Sequence, residues 1–506
     1  MNQILSKEDI VGQNNTAITR HTVFSSFLWR FFERTGAQLV RFLVEIILAR
    51  LLAPSVYGTV ALVTVFTNLL NVFIDSGFGN ALVHKKEPDD TDYSTVFYLN
   101  IKVCAVLYLG MFAASPFIAS FYRNPELVPV IRVLSLTLLI SGLKNVQQAY
   151  VAKNMLFKRF FYATLGGTVG AAAVGIALAY NGFGVWALVA QQLFNASVDT
   201  LILWITVKWR PKKAFSLMRL KSLFNYGWKL LASALLNTAY IEARQLIIGR
   251  AYTSADLAFY NRGRVFPHTI ISNIDSSINS VLLPTMSSVQ DDAGRVKAMT
   301  RRAIKTSTFI MAPLMMGLAF TSGRVVRIIL TEKWMPCVPF LCIFCITFMF
   351  YPIHTANLNA IQALGRSDLF FRLEIIKTAI GTAVLLCTFR ISVMAMAYSM
   401  LFTSVTSQLI NSWPNWRLLG YNYLEQLKDI LPNIVAAVMM GVAVLIAGRG
   451  LEGMMENVGL AGMASEMAIL FLQVIIGAAV YIVLSVLTQN DSFSYVFGLI
   501  RSAAKK

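Results

Sequence analysis

Arg30, Arg34, Gln38, Arg41 and Glu45 recur every three or four residues within an otherwise apolar stretch. At 100° per residue they fall within an arc of about 80° on one helix face. A row of guanidinium groups can hold an anion, because arginine's planar fork matches carboxylate and phosphate oxygens. Arg41 and Glu45, four apart, can instead pair with each other. A second row, Lys229, Ser233, Asn237, Tyr240 and Arg244, repeats the spacing, each position 199 residues beyond its counterpart. Thr64, Asn68, Asn71 and Asp75 share a third helix face, and His268, Ser272, Asp275 and Asn279 a fourth. Glu45, Asp75 and Asp275 are candidates to bind a coupling proton or sodium ion, as intramembrane carboxylates commonly do. His268 can titrate near neutral pH, although a lone histidine directly after Pro267 also suits packing at a helix end. Glu33 and Glu242 lie off the rows and are weaker candidates.

The elements that must carry these rows are membrane helices. Of 506 residues, 56% are hydrophobic and 14% charged, against roughly a quarter charged in soluble domains. The apolar residues come in runs long enough to cross the roughly 30 Å hydrocarbon core as helices. Barrel strands would need alternation over about 10 residues instead. The spacing predicts an all-α, polytopic protein with fourteen spans: 24–52, 56–83, 96–121, 127–149, 161–180, 184–207, 225–250, 265–285, 305–330, 337–362, 374–389, 392–411, 430–448 and 464–487. The rows lie on the first, second, seventh and eighth. The polar start, 1–22, lacks a signal peptide's basic-then-apolar pattern, so the first span is expected to be retained.

An even number of spans puts both termini on one side. Lys and Arg concentrate in the tails and in the loops on that side, which predicts a cytoplasmic location for both termini. The net charge of +19 is thereby explained without nucleic acid. The basic loop 208–221 is a topology determinant, with anionic lipid headgroups as a further contact. The loops are too short to hold a soluble domain. The sequence contains no phosphate loop and no H-E-x-x-H. No enzymatic activity, metal site or cofactor is expected. Cys342 and Cys345 form a C-x-x-C inside an apolar helix and read, with Cys104, Cys337 and Cys387, as small membrane-helix residues.

A duplication organises the chain. Trp29 aligns with Trp228 at an offset of 199. Ile47-Leu48-Ala49-Arg50 aligns with Ile247-Ile248-Gly249-Arg250, and Ile74-Asp75-Ser76 with Ile274-Asp275-Ser276, at 200. Six spans separate the copies, so both enter the membrane in the same direction, a parallel repeat with an axis along the membrane normal. The expected organisation is a tail (1–23), a six-helix lobe (24–207), a basic linker (208–224), a second six-helix lobe (225–411), a linker (412–429), two further spans (430–487) and a tail (488–506). Gly166, Gly170 and Gly175 on the fifth span predict close helix packing.

A charged side chain at mid-bilayer costs at least about 2.5–3.5 kcal/mol, so the rows must face a wet cavity or another helix. Structural interhelical bonds would satisfy them. Their recurrence in both halves favours a shared cavity, and the excess of Arg30, Arg34, Arg41, Lys229 and Arg244 over acids suits it to an anion.

The segment Ile47-Leu-Ala-Arg-Leu-Leu-Ala-Pro-Ser-Val-Tyr-Gly58 resembles the first outer turn of polysaccharide-export flippases. These belong to the multidrug/oligosaccharidyl-lipid/polysaccharide exporter superfamily. Asp75-Ser-Gly-Phe-Gly-Asn-Ala-Leu-Val83 resembles the end of their second helix. The resemblance implies two lobes in a V around a central cavity and alternating access between the membrane faces. It implies a substrate with an undecaprenyl tail, a diphosphate and a short sugar repeat, in the bacterial inner membrane. The diphosphate would fall to Arg34, Arg41 and Arg244, with Arg30 and Lys229 nearer the cytoplasmic mouth. Polymerase and export machinery would be partners. A lipid II flippase and a cation-coupled drug exporter of the same superfamily are alternatives, as is a membrane glycosyltransferase or polymerase. The last generally needs a large outer loop, and the longest here, about 449–463, is short.

Overall fold

The computed structural model describes residues 20–74, 82, 85, 88–154, 156–457 and 462–503, with the side chains of the first helix described from residue 36 onward. Hydrocarbon offers backbone N–H and C=O groups no partners, so a chain crossing it must satisfy them within helices or a closed barrel. All regular elements among the described residues are helical. In order they are α1 (Arg20–Leu51), α2 (Pro54–Ile74), α3 (Asp90–Phe121), α4 (Leu127–Leu134), α5 (Leu136–Lys153), α6 (Phe157–Tyr180), α7 (Val185–Thr206), α8 (Leu217–Ala251) and α9 (Ser254–Ser287). There follow α10 (Ala293–Leu330), a short 3-10 turn (Glu332–Cys337), α11 (Val338–Met349), α12 (Tyr351–Ala363), α13 (Ser367–Thr388), α14 (Val393–Leu419), α15 (Tyr423–Asn457), α16 (Met463–Leu487) and α17 (Asp491–Ala503).

This is a multi-pass membrane protein. Each expected span overlaps a helix, the fourth split into α4 and α5 and the tenth into α11 and α12. Among the described residues, ten helical stretches are long and apolar enough to cross a membrane. The helices α1, α8, α9 and α13 are not among them. Length is not the reason, since α1, α8 and α9 have 32, 35 and 34 residues, about 50 Å each at 1.5 Å per residue. Their apolarity is lowered by the polar rows they carry. Residues Asp491–Ala503, expected as tail, instead form α17, tied to α10 by Lys305 on Asp491 at 2.9 Å and by Arg302 over the Tyr495 ring at 4.5 Å.

The helices fall into two compact units. The first comprises the chain up to Leu48, Phe66–Ile118 and Glu126–Leu236. The second comprises Ala49–Val65, Ala119–Pro125 and Asn237–Lys506. The first unit's core gathers Tyr93, Val96, Phe97, Val146, Leu203 and Trp209. The glycines of the fifth span seat α6 on α7 as expected: a Cβ at Gly166, Gly170 or Gly175 would stand 2.9, 2.6 or 3.1 Å from Ile202, Phe194 or Gln191.

In the second unit, the two turns that the duplication makes equivalent meet each other. A Cβ at Gly58 would lie 1.7 Å from the Ser254 carbonyl oxygen, and one at Gly249 would lie 2.2 Å from Leu62. Only glycine permits these approaches. Trp334 donates its indole N–H to the Ala49 carbonyl at 2.8 Å. The Arg262 guanidinium sits 4.9 Å from the Tyr57 ring and 5.3 Å from that of Trp334. A parallel repeat must deliver both turns to the same membrane face, and these contacts have that consequence.

The basic loop, expected as a topology determinant, makes structural contacts. Within the first unit it docks on the N-terminus of α3, where an acidic side chain also complements the helix dipole. Lys212 pairs with Asp90 at 2.5 Å, and Arg219 pairs with Asp89 and reaches Asp92 at 3.4 Å. Trp209 donates to Asp90 at 3.2 Å. The Arg219 guanidinium donating to Asp89 holds that carboxyl at about 2, below the usual carboxylate range. A value lowered by folding means that this contribution is fully present above the ordinary carboxylate pKa and is lost as pH falls toward 2. The variant D89N/D90N should release the loop. Exposed pairs contribute about 0–1 kcal/mol each, so trypsin should cut after Lys213 and Arg219 severalfold faster than in the unaltered protein. An unchanged rate would show that the loop is held by other contacts.

Candidate functional site

On α8 the row passes through Asn237, Tyr240 and Arg244 within the second unit. Asn237 is exposed and Tyr240 half-buried. The Tyr240 hydroxyl packs against α13, where a Cβ at Gly381 would stand 2.0 Å from it. Arg244 is buried, with 7% of its surface exposed. Its guanidinium lies 6.0 Å from the Tyr240 ring centroid. Its Nε and Nη2 have no hydrogen-bond partner. An arginine side chain carries five donors and stays charged at every accessible pH. Burying such a group unpaired costs several kcal/mol, and an acceptor beside Nε and Nη2 would offset that cost.

Beside Arg244 runs a short polar chain. Gln245 donates to the buried Glu242 carboxylate, and Asn261 of α9 donates to Gln245 at 2.7 Å. Glu242, a weaker candidate from its place off the row, is therefore engaged sideways with Gln245. Gln245 and Asn261 were not singled out from sequence; the 16-residue spacing across a turn gave no periodic signal.

The row on α9 is bonded to α12. Thr355 donates to Asp275, and Asn359 donates to Asn279 at 2.7 Å, both across 80 residues of sequence. Asn279 in turn donates to the second Asp275 oxygen at 3.2 Å. The Asp275 carboxylate thus already accepts from a hydroxyl and an amide. His268 is exposed, with its ring 5.8 Å from that of Phe348.

In the first unit, Gln38, Arg41 and Glu45 are exposed on α1, and the Arg41 Nε turns back to the Ala37 carbonyl at 3.3 Å. On α2, Asn68 is exposed, and Asn71 has a buried side-chain oxygen without a hydrogen-bond partner. Asp75 and the side chains of Arg30, Arg34 and Lys229 lie outside the described residues. The first unit also holds an ion pair that sequence reading did not single out, Lys144 of α5 with Asp199 of α7 at 3.0 Å. Isolated charges on separate apolar helices give no periodic row, so only the fold brings them together.

The family described as "polysaccharide biosynthesis protein" matches residues 47–339, more than half of the chain. The succinoglycan biosynthesis transport protein ExoT of Rhizobium meliloti is 23% identical over 496 residues, covering 96% of this chain and 97% of the relative. The teichuronic acid biosynthesis protein TuaB of Bacillus subtilis is 24% identical over 385 residues, covering 75% of this chain and 78% of the relative. Among solved structures, the lipid II flippase MurJ in an inward closed conformation superposes with a TM-score of 0.70 at 13% identity, covering 94% of this chain and 99% of that one.

If the open donors of Arg244 receive an anion, inorganic diphosphate should stabilise the purified protein. A ligand present well above its Kd should raise the melting temperature by roughly 2–4 °C. Arg244→Gln should remove the rise, and Arg244→Lys should retain part of it. An equal rise in all three proteins would place the anion elsewhere.

Proposed function

The chain belongs to the polysaccharide biosynthesis protein family, and on that premise we propose that it is a flippase for lipid-linked oligosaccharide repeat units. Its substrate carries an undecaprenyl diphosphate, and it serves exopolysaccharide, capsule or O-antigen assembly at the bacterial inner membrane. In this reading both termini are cytoplasmic, which the Lys/Arg distribution supports. The observation that carries the reading is Arg244: a permanently charged, buried side chain with two unpartnered nitrogens suits a substrate whose diphosphate brings the missing acceptors.

Arg34 and Arg41 take the equivalent role in the first copy of the repeat, with Arg30 and Lys229 nearer the cytoplasmic mouth. Gln38, Asn68, Asn71, Asn237, Tyr240, His268 and Asn279 offer the mixture of donors and acceptors that a sugar headgroup needs. The lipid tail stays in the bilayer while the headgroup crosses by alternating access. Glu45, Asp75 and Asp275 are the groups through which a proton or sodium gradient would act. No covalent bond changes in this process. Polymerase and export machinery receive the product. The cationic character of the rows argues against export of cationic drugs, which would require acidic surroundings.

Deleting the gene should leave diphosphate-linked repeat units on the cytoplasmic leaflet, read by their inaccessibility to an externally added glycosidase. Units that reach the outer leaflet but stay unpolymerised would instead assign the protein a polymerase role. Accumulation of lipid II alone would point to the peptidoglycan precursor as substrate.

A further inference from the structure

The second unit carries a cleft away from the polar rows. It holds about 470 Å³ and is lined by Leu373 and Ile376 of α13, Leu409, Trp413 and Trp416 of α14, and Tyr423 at the start of α15. That volume lies within the ~300–1,000 Å³ of ordinary ligand clefts. The polar groups of the wall point away from it. Ser412 donates to Gln426 at 2.9 Å, and Tyr423 donates to Gln408 at 3.3 Å. Behind them Asn357, Gln426 and Asn415 form a buried amide network joining α12, α14 and α15, which fixes the wall's shape. What remains facing outward is apolar. Trp413 and Trp416 expose 56% and 55% of their surface.

The cleft has a charged end. Arg372 is exposed and stands one turn before Ile376 on α13, on the same face. Arg417 lies one turn beyond Trp413 on α14, with its guanidinium 5.0 Å from that ring. The tight turn between α13 and α14 makes them antiparallel, so both arginines sit at the same end. That end is on the membrane face that also bears α17, since α15 and α16 cross and return. Neither arginine has a carboxylate partner among the described residues. Tryptophan marks the interface between hydrocarbon and headgroups, so the order along the cleft is apolar wall, tryptophans, then unpaired cations.

We propose that this cleft is a binding site for an anionic phospholipid, with one acyl chain in the groove and the headgroup phosphate on Arg372 and Arg417. The apolar wall offers an acyl chain a surface to lie on, and the two cations select headgroups of net negative charge. A lipid so placed would wedge the α13–α14 hairpin against the start of α15, on the helix whose Gly381 contacts Tyr240.

The test uses the full-length protein in nanodiscs of mixed phosphatidylglycerol and phosphatidylcholine, followed by native mass spectrometry of the lipid it retains. Phosphatidylglycerol should be retained preferentially. Arg372→Gln or Arg417→Gln should each lower that preference about fivefold, the order set by one basic contact with an anionic headgroup. The conservative variant R372K/R417K should keep it and serves as the control for folding. Ile376→Trp should displace the lipid by filling the groove. Equal retention of both lipids, or unchanged preference in both glutamine variants, overturns the proposal. So does displacement of the lipid by undecaprenyl phosphate, which would make the cleft a substrate-tail site, or recovery of a dimer with the cleft covered by a second copy.

Discussion

A guanidinium group cannot shed its charge, and hydrocarbon cannot solvate it. That constraint governs where this chain places its arginines. Arg324 meets Glu466 at 3.0 Å and Arg327 meets the same carboxylate at 2.7 Å, which ties α10 to α16. Arg301 meets Asp429 at 2.7 Å, which ties α10 to α15. Arg262 lies against two aromatic rings. Arg244 departs from this pattern. It is as buried as Arg262, yet two of its nitrogens have no acceptor. Unlike the exposed Arg372, Arg244 is buried with its unpartnered nitrogens out of reach of bulk water, and an anion from outside the chain would supply the missing acceptors.

The same constraint made much of the molecule legible in its sequence. Apolar runs must become helices, so every expected span overlaps one of α1 to α16, although α9 and α10 begin about a dozen residues before the spans expected there, because their polar first turns carry no apolar signal. A polar row on an apolar helix is expected to turn away from lipid, and the row on α9 does so in part by bonding to α12. The glycines of the fifth span signalled close approach, and α6 and α7 meet there.

Periodicity names a face and says nothing about what the face meets. The row on α9 turned out to bond Thr355 and Asn359 of α12, so part of the surface read as cavity lining is an interhelical seam. Lys144 and Asp199 were single charges on unrelated helices until the fold paired them. The basic loop 208–221 looked like a topology signal because its partners, Asp89, Asp90 and Asp92, lie about 120 residues earlier. The helix α17 was read as tail because a short amphipathic segment resembles one until α10 provides its apolar and ionic contacts. In each case the missing information is a long-range pairing, which hydropathy does not encode.

In the proposed function, Arg244 holds the anionic headgroup as it crosses the membrane. Purified protein in sealed liposomes, given a fluorescent diphosphate-linked oligosaccharide, tests this directly. The measured quantity is the fraction of substrate that moves between leaflets, read by an impermeant quencher. The unaltered protein should equilibrate the two leaflets, and Arg244→Ala should leave the substrate on the leaflet where it began. Transport by Arg244→Ala at the unaltered rate would contradict the claim.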